Sequence, residues 1–206
     1  IEYYIDNLKV ITNCGYGEQI SKKAILLSRL TSAQSTLSLN DNSVVKFERN
    51  KIINSSFGNL IKNSFKIFDE NYNENDLEIK TSASHDAYLA EFGYIHKRKL
   101  TLLKKSNELQ GTDCLILKKQ GVKTIYNIRF HLYPGIAAVK TIKGDSVLIQ
   151  VKKNKSFILE SKDNQIDIEK SIFLGRNRII NNICITISGE AKDKDKIINW
   201  VIKKSN

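Results

Sequence analysis

Apolar and polar positions alternate along this chain in short runs instead of recurring every third or fourth residue. The clearest runs flank one corner. Ile128, Phe130 and Leu132 fall at every second position before Pro134-Gly135, and Val147, Ile149 and Val151 do so after a Lys143-Gly144-Asp145 turn. That period places side chains on one face of a strand. The stretch Ile125–Leu148 organises the rest, and the chain's only proline sits at its corner, where it breaks no sheet ladder. Upstream, Ile1–Ile5 and Leu8–Thr12 read as a hairpin about Asp6-Asn7, residues that tolerate positive φ. Asn13–Gly17 reads as a loop. Ser21–Leu30 has helical spacing behind a capping serine and reads as a short helix or irregular turn.

Alternation returns over Leu30–Leu39, stops at the Asn40-Asp41-Asn42 turn, and resumes as a short strand over Ser43–Phe47. Asn50–Lys66, rich in Asn and Ser, reads as an irregular surface excursion. Phe65–Phe68 and Leu77–Thr81 flank the polar Asp69–Asp76, which reads as a long hairpin loop. Further strands are predicted over Tyr94–Leu103, Leu109–Leu117, Phe157–Glu160, Gln165–Ile168, Ser171–Phe173 and Ile179–Ser188. Ile197–Lys203 has helical propensity, but Ile198, Trp200 and Ile202 alternate, so a closing strand is expected. Strands so regularly spaced imply an all-β fold, a large two-sheet antiparallel β-sandwich, as a single domain over residues 1–206.

Composition adds bounds. With 41% hydrophobic and 27% charged residues among 206, the chain can bury a substantial core, which excludes disorder. No apolar run approaches the roughly 18–20 residues of a membrane-spanning helix, and no signal-peptide pattern opens the chain. The chain starts at Ile1 in mid-strand and contains no Met. Part of a parent protein is therefore expected upstream, with any export signal, and the sequence fixes no compartment (periplasm or cytoplasm of a bacterium). The net charge of +11 allows a polyanionic partner. The basic residues are mostly Lys among abundant Ile and Asn, as an AT-rich coding sequence gives. No dense basic cluster appears, and the aromatics fall mainly at core phase, so nucleic acid is not an expected partner.

The candidate chemistry is sparse. Three cysteines, Cys14, Cys114 and Cys184, cannot all pair and lack CxxC spacing, so buried free thiols are expected and a cysteine-type zinc site is excluded. Of three histidines, His85 stands beside Asp86, which could orient it as a base, or it is an ordinary loop residue. His131 shares the polar phase of its strand with Arg129 and Tyr133, facing a groove or a packed partner. His96 precedes Lys97-Arg98-Lys99, whose charge resists protonation of a neighbouring imidazole. No HExxH, Gly-rich phosphate loop or GxSxG elbow is present, and no carboxylate pair stands out.

Five segments, in order, carry a resemblance: IEYYIDNLKVITNCG (Ile1–Gly15), RLTSAQSTLSLND (Arg29–Asp41), SASHDAYLAEFGYIHKRKL (Ser82–Leu100), RFHLYPGI (Arg129–Ile136) and SIFLG (Ser171–Gly175). Together the chain resembles the C-terminal β-sandwich of the heparinase II/III-like polysaccharide lyases. The resemblance implies an upstream helical toroid as partner, with a cleft between the two domains. It implies β-elimination of an acidic, uronate-containing polysaccharide such as a glycosaminoglycan. A group neutralises the uronate carboxylate, a Tyr or His removes the C5 proton, and an acid protonates the leaving oxygen. Most of those residues would lie on the toroid, so this chain alone is not expected to catalyse. Where the family holds zinc in the sandwich, an Asp and a His are expected; here Asn13 and Gln34 occupy those positions. Neither offers a carboxylate or imidazole, so no metal or other cofactor is expected. Substrate contacts are expected from Asn13, Gln34, His85 and His131. The alternative is a non-catalytic carbohydrate-binding or scaffold sandwich from a parent that has lost activity. In either case the toroid-facing surface would expose an apolar patch.

Overall fold

Turns form where Asp, Asn and Gly accept a left-handed backbone. Asp6 (φ 47°) and Asn7 (φ 62°) close the hairpin between β1 (Tyr3–Ile5) and β2 (Leu8–Thr12). Asn40 and Asp41, at φ 47° and 56°, turn the chain after β3 (Leu37–Leu39). Asn107 (φ 51°) joins β6 (Tyr94–Leu103) to β7 (Glu108–Leu117), and Gly144 (φ 77°) leads into β10 (Ser146–Lys152). This computed structural model describes residues 1–48, 50, 52–54, 60–162, 164–175 and 177–205.

The other strands are β4 (Ile67–Glu74), β5 (Glu78–His85), β8 (Thr124–Leu132), β9 (Ala137–Lys140), β11 (Lys155–Glu160), β12 (Gln165–Leu174), β13 (Ile179–Ala191) and β14 (Lys196–Lys204). Two antiparallel sheets result. The first runs β1-β2-β8-β13-β12, with β3 also on β8; the second runs β4-β5-β6-β7-β14-β11-β10-β9. β2 and β3 lie end to end along one edge of β8, at Ile11↔Leu132 and Leu37↔Ile128 respectively. One core joins the sheets. Ile11, Ile128, Phe130, Ile185 and Ile187 face Leu115, Phe157, Leu159, Ile198 and Ile202. The Phe130 and Trp200 rings meet edge to face at 4.8 Å, and Gly111 leaves room for the indole, which a Cβ there would overlap. Burying each such apolar side chain contributes about 1.5–3 kcal/mol.

The all-β sandwich expected from the alternation is the fold observed, and the closing strand is present as β14. Several boundaries differ. Leu30–Leu39 is not a strand throughout: Thr31–Ala33 forms a 3-10 turn and only Leu37–Leu39 pairs. Ser43–Phe47 makes only an isolated bridge, Phe47↔Ile61. Asp69–Asp76 is no loop, because β4 runs to Glu74 as the polar, exposed edge of its sheet. A bulge at Asp69–Glu70 interrupts its register, a usual device on edge strands. Gln165–Ile168 and Ser171–Phe173 are one strand, β12. The helix α1 (Lys22–Ser28) is formed, and Ser21 caps it by accepting from Ala24 N at 3.1 Å. The excursion expected over Asn50–Lys66 falls partly on 51 and 55–59, outside the described residues. No helix among the described residues is long and apolar enough to cross a membrane.

Candidate functional site

Between the ends of β2 and β3, where β8 has no continuous neighbour, the fully buried Ser35 fills the gap. Its hydroxyl donates to Thr12 O at 2.5 Å and accepts from His131 N at 2.9 Å. Its N–H donates to Asn13 Oδ1 at 2.8 Å. From the opposite sheet, Arg98 Nη1 donates to Ser35 O at 3.2 Å. The segment therefore ties both layers together through polar contacts.

Arg98 belongs to a buried network on the inner face of β5, β6, β7 and β14. Asp113, wholly buried at a core position of β7, accepts from Arg98 Nε (2.7 Å) and Trp200 Nε1 (2.9 Å) and pairs with His96 Nε2 (2.7 Å). Burial alone would raise the Asp113 pKa. The Arg98 charge and the His96 hydrogen bond outweigh it and hold the carboxyl well below its ordinary range. His96 Nδ1 lies 3.1 Å from His85 Nε2, and His85 Nδ1 accepts from Ala87 N at 3.3 Å. These contacts fix the protons. His96 carries its proton on Nε2 toward Asp113, and His85 carries its own on Nε2 toward His96 Nδ1. Burial and the neighbouring His96 push the His85 pKa down to about 4, so it is neutral near pH 7.

His85 therefore sits at the end of β5, with His96 as its partner. Phe65 and Tyr88 wall it in at centroid distances of 6.0 and 5.3 Å. Asp86, the orienter of His85 in one of the two sequence readings, makes its hydrogen bond elsewhere: Oδ1 accepts from Lys66 N at 2.7 Å. Lys97 and Lys99 project to the other face of β6, where Lys97 pairs with Asp69 at 3.5 Å.

His131 faces outward from the first sheet, on the phase its strand pattern assigns, beneath the segment that carries α1. Ser171 Oγ and Cys14 Sγ approach its Nδ1 at 2.9 and 3.4 Å, and Nε2 donates to Ser32 O at 3.0 Å. Burial lowers its pKa to about 4. The adjoining cavity, of about 530 Å³, is also lined by Arg129, Glu169 and Cys184. All three cysteines are free; Cys14 and Cys184 are buried and Cys114 is half-buried.

Asn13 and Gln34 come to the same seam, each held by one end of its amide. Asn13 Oδ1 takes Ser35 N, and Gln34 Nε2 donates to Ser28 O at 2.7 Å. Asn13 Nδ2 and Gln34 Oε1 have no partner among the described residues. The structure thus holds Asn13 on Ser35 and Gln34 on Ser28, links His85 to the Ser35 seam through His96, Asp113 and Arg98, and turns His131 to the outer face. No group of three or more His, Cys, Asp or Glu among the described residues could hold a metal ion.

Sequence reasoning missed the network itself. Its signal was present in Leu109, Gly111, Asp113 and Leu115, where a carboxylate shares the apolar phase, and in His96 and Arg98, which share the facing phase of β6. A charge at core phase requires buried donors.

These features define a two-layer antiparallel sandwich with a polar seam. The chain belongs to the heparinase II/III-like, C-terminal family, whose model matches residues 1–201. Its fold is similar to part of the heparan sulfate lyase HepC from Pedobacter heparinus, with a TM-score of 0.76 and 13% identity over 100% of this chain. It is likewise similar to a heparinase III (TM-score 0.68, 15% identity, 98% of this chain) and to the heparinase III BT4657 gene product (TM-score 0.72, 10% identity, 99% of this chain). The chain spans about 30% of the length of HepC and 29% of the other two. None of the curated proteins matches it in sequence.

Proposed function

We propose that this domain forms one wall of the substrate cleft of a heparinase II/III-like lyase, which cleaves an acidic, uronate-containing polysaccharide by β-elimination. The base and acid that move the protons belong to an upstream helical domain. Asn13 and Gln34 meet the substrate. The observation that carries this is their anchoring: each amide is fixed at one end and free at the other. Nδ2 of Asn13 supplies a donor at a position preset by Ser35 N, and Oε1 of Gln34 an acceptor at a position preset by Ser28 O. Preset polar groups lose little entropy on binding a sugar hydroxyl or carboxylate. His85 and His131 act behind this surface as positioning groups, since both nitrogens of each already have partners.

A second reading, a non-catalytic glycan-binding or scaffold sandwich, is favoured by one fact: neither amide can ionise, so neither can serve as acid or base. One experiment separates the two. The parent protein and this chain alone are assayed on acidic polysaccharides by the absorbance of the unsaturated uronate product. The parent should form product and the isolated chain none. In the parent, Asn13→Ala with Gln34→Ala should raise KM about tenfold with little change in kcat. Product from the isolated chain would overturn the cleft-wall reading, and an inactive parent that still retains the glycan would establish the binding one.

A further inference from the structure

At the other end of β2 from Asn13, about 13 Å along the strand, lies a groove that takes no part in the seam. Its volume is about 500 Å³, and Tyr4, Asn7, Lys9, Tyr133 and the Pro134-Gly135 corner line it. Two tyrosines stand open at its walls, Tyr4 at 53% and Tyr133 at 42% exposure. Both rings are held in place. The Lys9 ammonium sits 5.2 Å from the Tyr4 centroid, and Phe173 meets Tyr133 edge to face at 5.9 Å. The polar groups, by contrast, are uncommitted. The Asn7 amide and the Tyr133 hydroxyl make no hydrogen bond to any described residue. Gly135, at φ 91°, has nothing within 4 Å of where a Cβ would stand, so the corner leaves the groove open.

We propose that this groove is a second glycan-binding site, which takes an acidic oligosaccharide apart from the cleft. The proposal takes its ligand class from the cleft-wall reading. Oriented ring faces supply apolar contact to the C–H faces of a sugar, and free hydroxyl and amide groups beside them supply hydrogen bonds. The charge supplies the sign of the ligand. Lys9 is the cation at the groove and is engaged by Glu2 at 2.8 Å. A carboxylate or sulfate entering the groove competes with Glu2 for that ammonium. Lys9 thereby acts as a point charge that accepts either anion without demanding bidentate geometry. Glu2 tunes the site: as long as its carboxylate is present, part of the attraction for the ligand is cancelled.

The test is titration of this chain with a sulfated, uronate-containing hexasaccharide and with a neutral hexasaccharide, at low and at physiological salt. The acidic ligand should bind, and more weakly as salt rises. Tyr133→Ala and Tyr4→Ala should each weaken it roughly threefold to tenfold. Lys9→Gln should weaken it similarly, whereas Glu2→Gln should tighten it about two- to fourfold. A structural role for the ion pair would not give that opposite sign. The same affinity in both tyrosine variants overturns the site, and equal binding of the neutral ligand overturns its acidic specificity. A wild-type dimer that Tyr133→Ala dissociates would reassign the groove to contact between copies. Ligand-induced NMR shifts read each place by itself, at Tyr4 and Tyr133 for the groove and at Asn13 and Gln34 for the cleft wall, so the cleft reading and the groove fail separately.

Discussion

Asp113 is a negative charge placed among apolar side chains, and its donors decide what that costs. With Arg98, His96 and Trp200 all in place, the carboxylate is satisfied. Arg98 in turn depends on it: Nε donates to Asp113, Nη1 donates to Ser35 O, and the buried Nη2 has no partner. Replacing a buried pair by apolar groups is often neutral, but removing one member leaves the other's charge uncompensated. Asp113→Asn keeps the shape and removes the charge. It should cost about 3–5 kcal/mol, read from urea unfolding at pH 7 by the fluorescence of Trp200, the only tryptophan. A loss below about 1 kcal/mol would mean that Arg98 is not held by this ion pair. At this scale the sequence was only partly legible. Asn13 and Gln34 were reached only through the family resemblance. Ser35 could not be reached, because nothing in an isolated serine reveals that two strands will stop on either side of it.

The strands themselves were legible wherever one face is buried, because burial imposes the two-residue period. β8, β10 and β14 follow it closely. β4 escaped because an edge strand exposed along almost its whole length needs no apolar face, so its composition reads as loop. The 3-10 turn at Thr31–Ala33 escaped for another reason: Ser and Thr alternate with Ala and Leu as well in a turn as in a strand. β7 carries the closest fit between sequence and packing. Gly111 lies under the Trp200 indole, so Gly111→Ala must displace the ring or bend the strand. A loss of about 1–3 kcal/mol is expected, together with a shift in Trp200 emission as the Asp113 hydrogen bond loosens. Unchanged emission and stability would mean that the indole is free to move.

The response of the whole molecule to acid follows from two histidines in separate layers. His85 and His131 both have folded pKa values lowered from 6.5 to about 4. Between those values the unfolded chain binds protons that the folded chain refuses. The two histidines' contribution to stability is therefore fully present above about pH 6.5 and falls as pH drops toward 4. Each histidine contributes up to about 3 kcal/mol across that window. Urea midpoints between pH 7.5 and 4.5 should decline, and His131→Asn should flatten the slope by about half. A profile without decline would show that the fold accommodates both imidazolium ions. The sandwich as a whole was legible because regular strand spacing admits few alternatives. The pairing of β2 and β3 with β8 was not, because pairing between residues as distant as Ile11 and Leu132 or Leu37 and Ile128 leaves no local mark.

That pairing has a temporal consequence. A ribosome delivers β1, β2 and β3 long before β8, the strand they must join. In the meantime β4 to β7 can assemble as a meander of neighbours, with its apolar face uncovered. The nascent chain must therefore hold β1, β2 and β3 in reserve. Closure of the sandwich, and with it the Ser35 seam, waits until β8 emerges. Slow codons or a chaperone acting between β3 and β8 would change the yield of folded protein without changing its final stability.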